Sequence, residues 1–216
     1  APVGQGTAPK PADFAELCER VRTQLSTRIA RAAESLDAVW RARAEHGCFP
    51  LASCFIDDCL ADGVDFDRGG ARYNWVENAF VGLANLGDSL VAIRDLVYGA
   101  GELTLSEFQA ILERDYEGHE ALRQRIINGI PSYGNDDDDA DALLVEWADF
   151  LNDETEAHTV GGHRYVPGFF CWIQHERLGG QTGATPDGRH AGLPLADGAG
   201  AAQGRERNGP TAAVLP

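Results

Sequence analysis

From Asp13 onward, apolar residues recur at three- and four-residue steps: Phe14, Leu17, Val21, Leu25, Ile29, Ala32, Leu36 and Val39. That period predicts one long helix with an apolar stripe on one face and arginines and glutamates on the other. Asp13 followed by Glu16 has capping-box spacing, with Asp in place of Ser or Thr, and Gly47 supplies a stop. The stripe needs a partner, most economically a later part of the same chain. After Pro50 a short helix is predicted over about 53–61, closed by Gly63, and the turn-rich stretch Asp65 to Gly70 follows. Tyr73 to Leu86 is aromatic and apolar without a clean period. This predicts a buried strand or loop feeding a helix over about 85–98, and it places the interior here.

Thr104 and Glu107 form a second capping box for a helix to about Asp115, and another helix runs over about 119–128 before Gly129-Ile130-Pro131. Four aspartates, Asp136 to Asp139, precede Leu143, Leu144, Trp147 and Leu151 at helical spacing. Carboxylates there offset the positive end of the helix dipole and accept its unpaired N–H groups. A calcium loop is disfavoured, because the fifth position counted from Asp136 is Ala140 and the sixth is Asp141 rather than Gly. Tyr165 to Ile173, interrupted by Pro167-Gly168, predicts a buried strand entered through a turn. Gly, Pro and Ala dominate from Gly179 to Pro216, so that stretch is ordered only where it packs against something else.

Composition narrows the functional classes. With 18 Lys+Arg against 34 Asp+Glu, the formal charge of −16 argues against nucleic-acid or anionic-lipid partners. No apolar run approaches the roughly 18–20 residues needed to span a bilayer, and a cytoplasmic location is expected. At 44% apolar, the 216 residues can bury a core. The chain has no methionine and opens on an Ala/Pro/Gly-rich lead, residues 1–12, expected to be flexible, which suits a piece of something longer. Its five cysteines (Cys18, Cys48, Cys54, Cys59 and Cys171) include no CxxC pair, so free thiols in a reducing compartment are expected.

Familiar catalytic motifs are absent: no GxSxG, no HExxH, no phosphate loop ending in Lys-Ser or Lys-Thr, no dinucleotide fingerprint. The six histidines share no metal-ligand spacing, so no metal site is assigned. His175-Glu176-Arg177 reads as a strand exit into solvent rather than an acid/base cluster, and Thr185 to Arg189 reads as a turn by its Pro, Asp and Gly.

An ordered series of short motifs changes the balance. It begins with Pro50-Leu51-Ala52-Ser53 and Cys59, then Gly63-Val64-Asp65, Gly69-Gly70-Ala71-Arg72-Tyr73-Asn74, Gly82-Leu83-Ala84-Asn85 and Asp88-Ser89-Leu90-Val91-Ala92-Ile93. It continues with Tyr133-Gly134-Asn135-Asp136, Gly183 to Arg189, Pro194-Leu195-Ala196-Asp197-Gly198 and Asn208-Gly209-Pro210-Thr211-Ala212. As a set spanning residues 49–212, these resemble the pyruvate formate-lyase-like glycyl radical enzymes. Members of that family are several-fold longer. A backbone glycyl radical near their C-terminus, installed by an S-adenosylmethionine/[4Fe-4S] activating enzyme, abstracts hydrogen from a cysteine, and the thiyl radical attacks substrate inside a barrel.

The resemblance implies an α/β fold, mostly helical here, with residues 13–216 forming part of a barrel domain and contributing strands to it. Neither chemical signature is present: no Arg-Val-x-Gly-Tyr, and Gly47-Cys48 is followed by Phe-Pro rather than by a Glu two residues on. None of Cys48, Cys54, Cys59 and Cys171 is therefore assigned as the thiyl residue, and all four are expected to be buried as small apolar side chains. No catalytic residue is assigned within the chain. Leu195 and Ala196 are expected to line substrate, while Gly69, Gly70, Tyr73, Asn74, Asp88, Ser89, Asp187, Gly188 and Arg189 are read as structural family-motif residues. Tyr73 to Trp75 and Phe169 to Trp172 suit barrel-wall segments.

The implied parent is a cytoplasmic, oxygen-sensitive lyase acting on a small molecule, homodimeric at full length and dependent on a radical-activating enzyme. The segment alone is expected to be inactive. Formate acetyltransferase-type acyl transfer is one alternative. A non-catalytic, acidic helical assembly protein is the other, and it would use the Phe14 to Val39 stripe to form a defined oligomer.

Overall fold

The computed structural model describes residues 9–47 and 49–214. Most of the Ala/Pro/Gly-rich lead, Cys48 and the last two residues lie outside that range. The chain forms two compact units. The first comprises the chain up to Thr23, Val81–Trp147 and the chain from Phe170; the second comprises Gln24–Phe80 and Ala148–Phe169.

The long helix α1 (Phe14–His46) runs as its period predicts. Glu16 N–H donates to Asp13 Oδ1 at 2.8 Å, and Glu16 Oε2 accepts from the backbone N–H of Ala12 at 2.7 Å, a reciprocal cap shifted by one residue at the donor. The predicted helix over 53–61 is instead two single turns, α2 (Pro50–Ser53) and α3 (Cys59–Asp62). Asp58 stands between them at φ 73°, in the left-handed region, where it pairs with the Arg72 guanidinium at 2.7 Å. A tertiary ion pair and a left-handed backbone thus override a local helical pattern.

In the second unit, strand β1 (Trp75–Ala79) pairs in parallel with β3 (His163–Gly168), which also pairs antiparallel with the two-residue β2 (Thr159–Val160), giving the order β1-β3-β2. Pro167 is tolerated because β2 reaches only as far as Arg164, so no ladder on that edge requires its missing N–H. A Cβ at Gly161, in the β2–β3 turn, would lie 1.9 Å from Trp40 Cδ1, so glycine is what admits the indole. The aromatic stretch beyond β3 is not the buried strand that its composition predicts. Tyr165 and Cys171 are buried, but Phe170, Trp172 and Ile173 are exposed, as are Tyr73 and Trp75.

The first unit holds the interior anticipated around α4 (Leu83–Ile93), in which Leu83, Ala84, Leu90, Val91 and Ala92 are buried. The chain leaves α4 through a π-helical stretch, Arg94–Gly99, and Ala92 and Leu96 pack with Phe108, Ile111, Tyr116 and Ile126. These last residues come from α5 (Leu105–Glu113), whose Thr104/Glu107 capping box is fully formed, from the turn after it, and from α6 (Glu120–Gly129). The acidic run opens α7 (Asp138–Glu156) as a cap, with Ala140 N–H donating to Asp137 Oδ1 at 3.1 Å. A Cβ at Gly87 would sit 3.0 Å from Leu144 Cδ1, which measures how closely α4 and α7 approach. After α8 (Gln174–Gly179) the glycine-rich stretch is ordered by packing, with Ala196, Ala202 and Ala212 buried and one further turn, α9 (Gly209–Ala212).

Candidate functional site

In the first unit the motif residues converge on α4. Gly82 at φ 84° turns the chain into this helix and leaves its own surface open to Leu195, whose side chain would lie 3.5 Å from a Cβ there. One turn in, the Asn85 side chain bridges two loops: its Oδ1 accepts from Ala196 N–H at 2.6 Å, and its Nδ2 donates to Asp187 Oδ2 at 2.7 Å. Ala196 is fully buried and Leu195 half-buried, so the Pro194 to Gly198 loop is pinned at its centre. The Asp187 carboxylate also accepts from Thr185 Oγ1 and from Arg189 N–H, closing the Thr185 to Arg189 turn as its composition predicts.

The charges in this cluster are structural. Arg189 directs its guanidinium at the carbonyls of Thr182, Gly183, His190 and Leu193, and Arg205 at those of Ile127 and Asp187. A cavity of about 190 Å³ opens beside Asn85, Asp187 and Arg205. The terminal nitrogens of Arg189 and Arg205 on it are engaged by carbonyl oxygens, while the Nε of each is buried without a hydrogen-bond partner among the described residues. Burial lowers the pKa of both arginines, against the opposing pull of Asp187. Burial also pushes the Tyr116 phenol up, and its O–H donates to Thr185 O at 2.8 Å.

Asp88 is the exceptional group. Its Oδ1 accepts from Tyr133 N–H at 2.9 Å, while its buried Oδ2 meets no hydrogen-bond partner among the described residues. Burial pushes its carboxyl up to about 7, the Tyr133 bond opposes this, the Asp187 and Asp141 charges add to it, and Arg205 offsets part. Ser89, beside it on α4, is buried. The Tyr133 to Asp136 motif is tied to the later ones through Asn135, whose Nδ2 donates to Arg205 O at 3.0 Å and whose carbonyl accepts from Asn208 Nδ2 at 2.6 Å.

The remaining motif residues belong to the second unit. Asp65 Oδ2 accepts from Phe49 N–H at 2.9 Å and from Ser53 Oγ at 2.8 Å, which explains the Pro-x-x-Ser and Gly-Val-Asp pairing as a polar knot. Gly69 takes φ 89°, and a Cβ at Gly70 would lie 2.0 Å from Val64 O, so both are glycine for backbone reasons. Asn74 Nδ2 donates to Ala71 O at 2.6 Å, and Tyr73 is exposed.

Of the cysteines expected to be buried, Cys59 and Cys171 are, Cys54 is exposed, and Cys48 lies outside the described residues. His175, Glu176 and Arg177 stand on α8 rather than on a strand exit. Glu176 and Arg177 face solvent, whereas His175 turns toward Cys171 and Asp197, a grouping that pattern reading missed.

A family model described as pyruvate formate lyase-like matches residues 2–179. The chain belongs to this family. Among pyruvate formate lyase-like relatives, a probable dehydratase, YbiW, of Escherichia coli is 42% identical over 174 residues, covering 76% of this chain and 21% of that protein. The trans-4-hydroxy-L-proline dehydratase of Clostridioides difficile, solved with its substrate bound, superposes with a TM-score of 0.87 at 34% identity. That superposition covers 93% of this chain and 26% of the dehydratase. The B12-independent glycerol dehydratase of Clostridium butyricum gives 0.86 at 34% identity with the same coverage. The chain thus spans about a fifth to a quarter of the length of the pyruvate formate lyase-like proteins it matches.

Proposed function

We propose that this chain is an internal segment of a glycyl radical lyase that cleaves a C–O, C–N, C–S or C–C bond of a small molecule. The observation that carries this reading is the partial coverage: nearly all of the chain superposes on about a quarter of a dehydratase. Both radical signatures are absent from the sequence, so in this reading the thiyl cysteine and the radical glycine lie elsewhere in the parent. The radical, once installed by the activating enzyme, supplies hydrogen abstraction by way of the thiyl cysteine. Residues 13–216 then form part of one barrel domain of a cytoplasmic homodimer.

What this segment contributes is a wall. Asn85, Arg189 and Arg205 each bond a loop backbone, and Asn85 also bonds the Asp187 carboxylate, which holds the Leu195-Ala196 step and presents an apolar side chain. A dry, fixed surface suits a site that must keep stray hydrogen donors from a reactive intermediate.

The test is anaerobic co-expression of the reading frame, extended on both sides, with its activating enzyme, followed by radical quantitation and turnover of glycerol and trans-4-hydroxy-L-proline as first probes. The extended protein should develop a glycyl radical signal, and Leu195→Ala should change KM without changing radical yield. Turnover by the 216 residues alone would overturn the segment reading, and an extended protein that never acquires a radical would overturn the enzyme class.

A further inference from the structure

In the first unit, the Sγ of Cys171, the Nδ1 of His175 and the Oδ1 of Asp197 converge on one point. The sulfur lies 3.5 Å from the imidazole nitrogen and 3.2 Å from the carboxylate oxygen, and the nitrogen and oxygen are 3.8 Å apart. A tetrahedral ion with bonds of about 2.3 Å to sulfur and about 2.0–2.2 Å to nitrogen and oxygen holds such donors about 3.4–3.6 Å apart. Each observed separation is within about 0.4 Å of that requirement, a shift that small side-chain rotations supply. We infer that Cys171, His175 and Asp197 form a three-ligand site for a zinc-class divalent transition metal, with the fourth position open.

The fold brings the ligands together on two tied elements. Cys171 and His175 flank the entry into α8, and Leu195 N–H donates to the carbonyl of His175 itself at 3.1 Å. Two residues on from that bond stands Asp197, after the buried Ala196 that Asn85 anchors. The site is therefore largely organised before an ion arrives. Cys171 is buried and the His175 side chain is 14% exposed, whereas that of Asp197 is 48% exposed, which leaves an entry path and room for a water or another oxygen ligand. One thiolate, one imidazole and one carboxylate select a borderline ion such as Zn²⁺ over Mg²⁺ or Ca²⁺, which take oxygen donors.

Binding balances simply: the thiol gives up its proton to solvent, the sulfur lone pair enters the metal–sulfur bond, and no electron transfer is involved. An ion here clamps the Pro194 to Gly198 loop through Asp197 and leaves no S–H at Cys171. That second consequence matters beside a radical reaction and rests on the proposed function. The ion binding itself does not.

The experiment is titration of the reduced 216-residue chain with Co²⁺, reading the thiolate-to-metal charge-transfer absorbance, followed by displacement with Zn²⁺. One equivalent should bind and protect one thiol from alkylation. Cys171→Ser should abolish the band, and Asp197→Asn and His175→Ala should weaken binding by more than the about 10–100-fold that loss of a merely supporting group costs. Cys18→Ser, a half-buried thiol on α1, should leave both readouts unchanged. Absence of a charge-transfer band in the unaltered chain, or a band of equal strength in Cys171→Ser, would overturn the assignment. The radical assay is not involved, so failure of this site and failure of the proposed function remain distinguishable.

Discussion

At the scale of single residues, Asp88 carries the clearest pH signature. Its carboxyl is raised from 3.8 to about 7 in the folded chain, first by burial and then by the Asp187 and Asp141 charges. Between those two values the folded state keeps a proton that the unfolded chain has released, so the contribution of Asp88 to stability falls as pH rises through that window and levels off above it. Asp88→Asn keeps an acceptor for Tyr133 N–H and cannot ionise. Its melting temperature should match that of the unaltered chain at about pH 3.5, already exceed it at pH 5, and exceed it by several degrees near pH 8. A difference that stays constant across that range would refute the buried-carboxyl account. Gly188 offers a second test, with φ 90° and a would-be Cβ 2.8 Å from Ile127 Cγ1. Gly188→Ala should lower stability by about 1–3 kcal/mol in urea denaturation. Gly183→Ala, with nothing within 4 Å of its Cβ position, should stay within about 0.5 kcal/mol.

Elements were legible wherever their ends are encoded locally. Thr104 and Glu107 carry a complete reciprocal cap, with Thr104 Oγ1 accepting from Glu107 N–H at 3.2 Å and Glu107 Oε2 accepting from Thr104 N–H at 2.8 Å. Thr104→Ala should accordingly cost about 0.5–2 kcal/mol, measured as a shift in the denaturation midpoint with unchanged slope. Where tertiary partners decide, the pattern misled: Asp58 is drawn to Arg72 and splits a helix, and the aromatic residues after β3 signal a surface in need of cover rather than one already covered. The candidate site follows the same rule. Its turn at Thr185 to Arg189 is legible because it closes on itself, but the Asn85 bonds to Asp187 and Ala196 span 102 and 111 residues. Arg205, followed by Glu206 and Arg207, reads as part of a solvated charge run, yet it is buried. Cys171 and Asp197 stand 26 residues apart, a distance at which no ligand spacing signals a shared site.

At the scale of the whole chain, two readings predict different association behaviour, and the exposed apolar residues decide where to look. An assembly protein would bury the α1 stripe between copies. Within this chain that stripe is mostly half-covered: Ile29 is buried, Ala32 and Leu36 are half-buried, and Val39 is 55% exposed. A barrel segment would instead carry its apolar exposure on the faces that the rest of the parent covers. Those faces are identifiable: Trp172 at 78%, Ile173 at 71% and Phe170 in the first unit, and Phe55 at 83%, Leu51 and Leu60 in the second. Exposed apolar residues so concentrated in two short stretches of chain mark contact surfaces. The isolated 216 residues should therefore bind a hydrophobic dye and self-associate without a fixed stoichiometry in sedimentation velocity, increasingly with concentration. Replacing Phe55 and Trp172 with Ser should suppress both effects, because neither side chain is buried in the folded units. Leu25→Glu should leave them in place. A sharp dimer or tetramer that Leu25→Glu dissociates, and that the Phe55 and Trp172 changes leave intact, would instead select the assembly reading, since only there does the α1 stripe hold copies together.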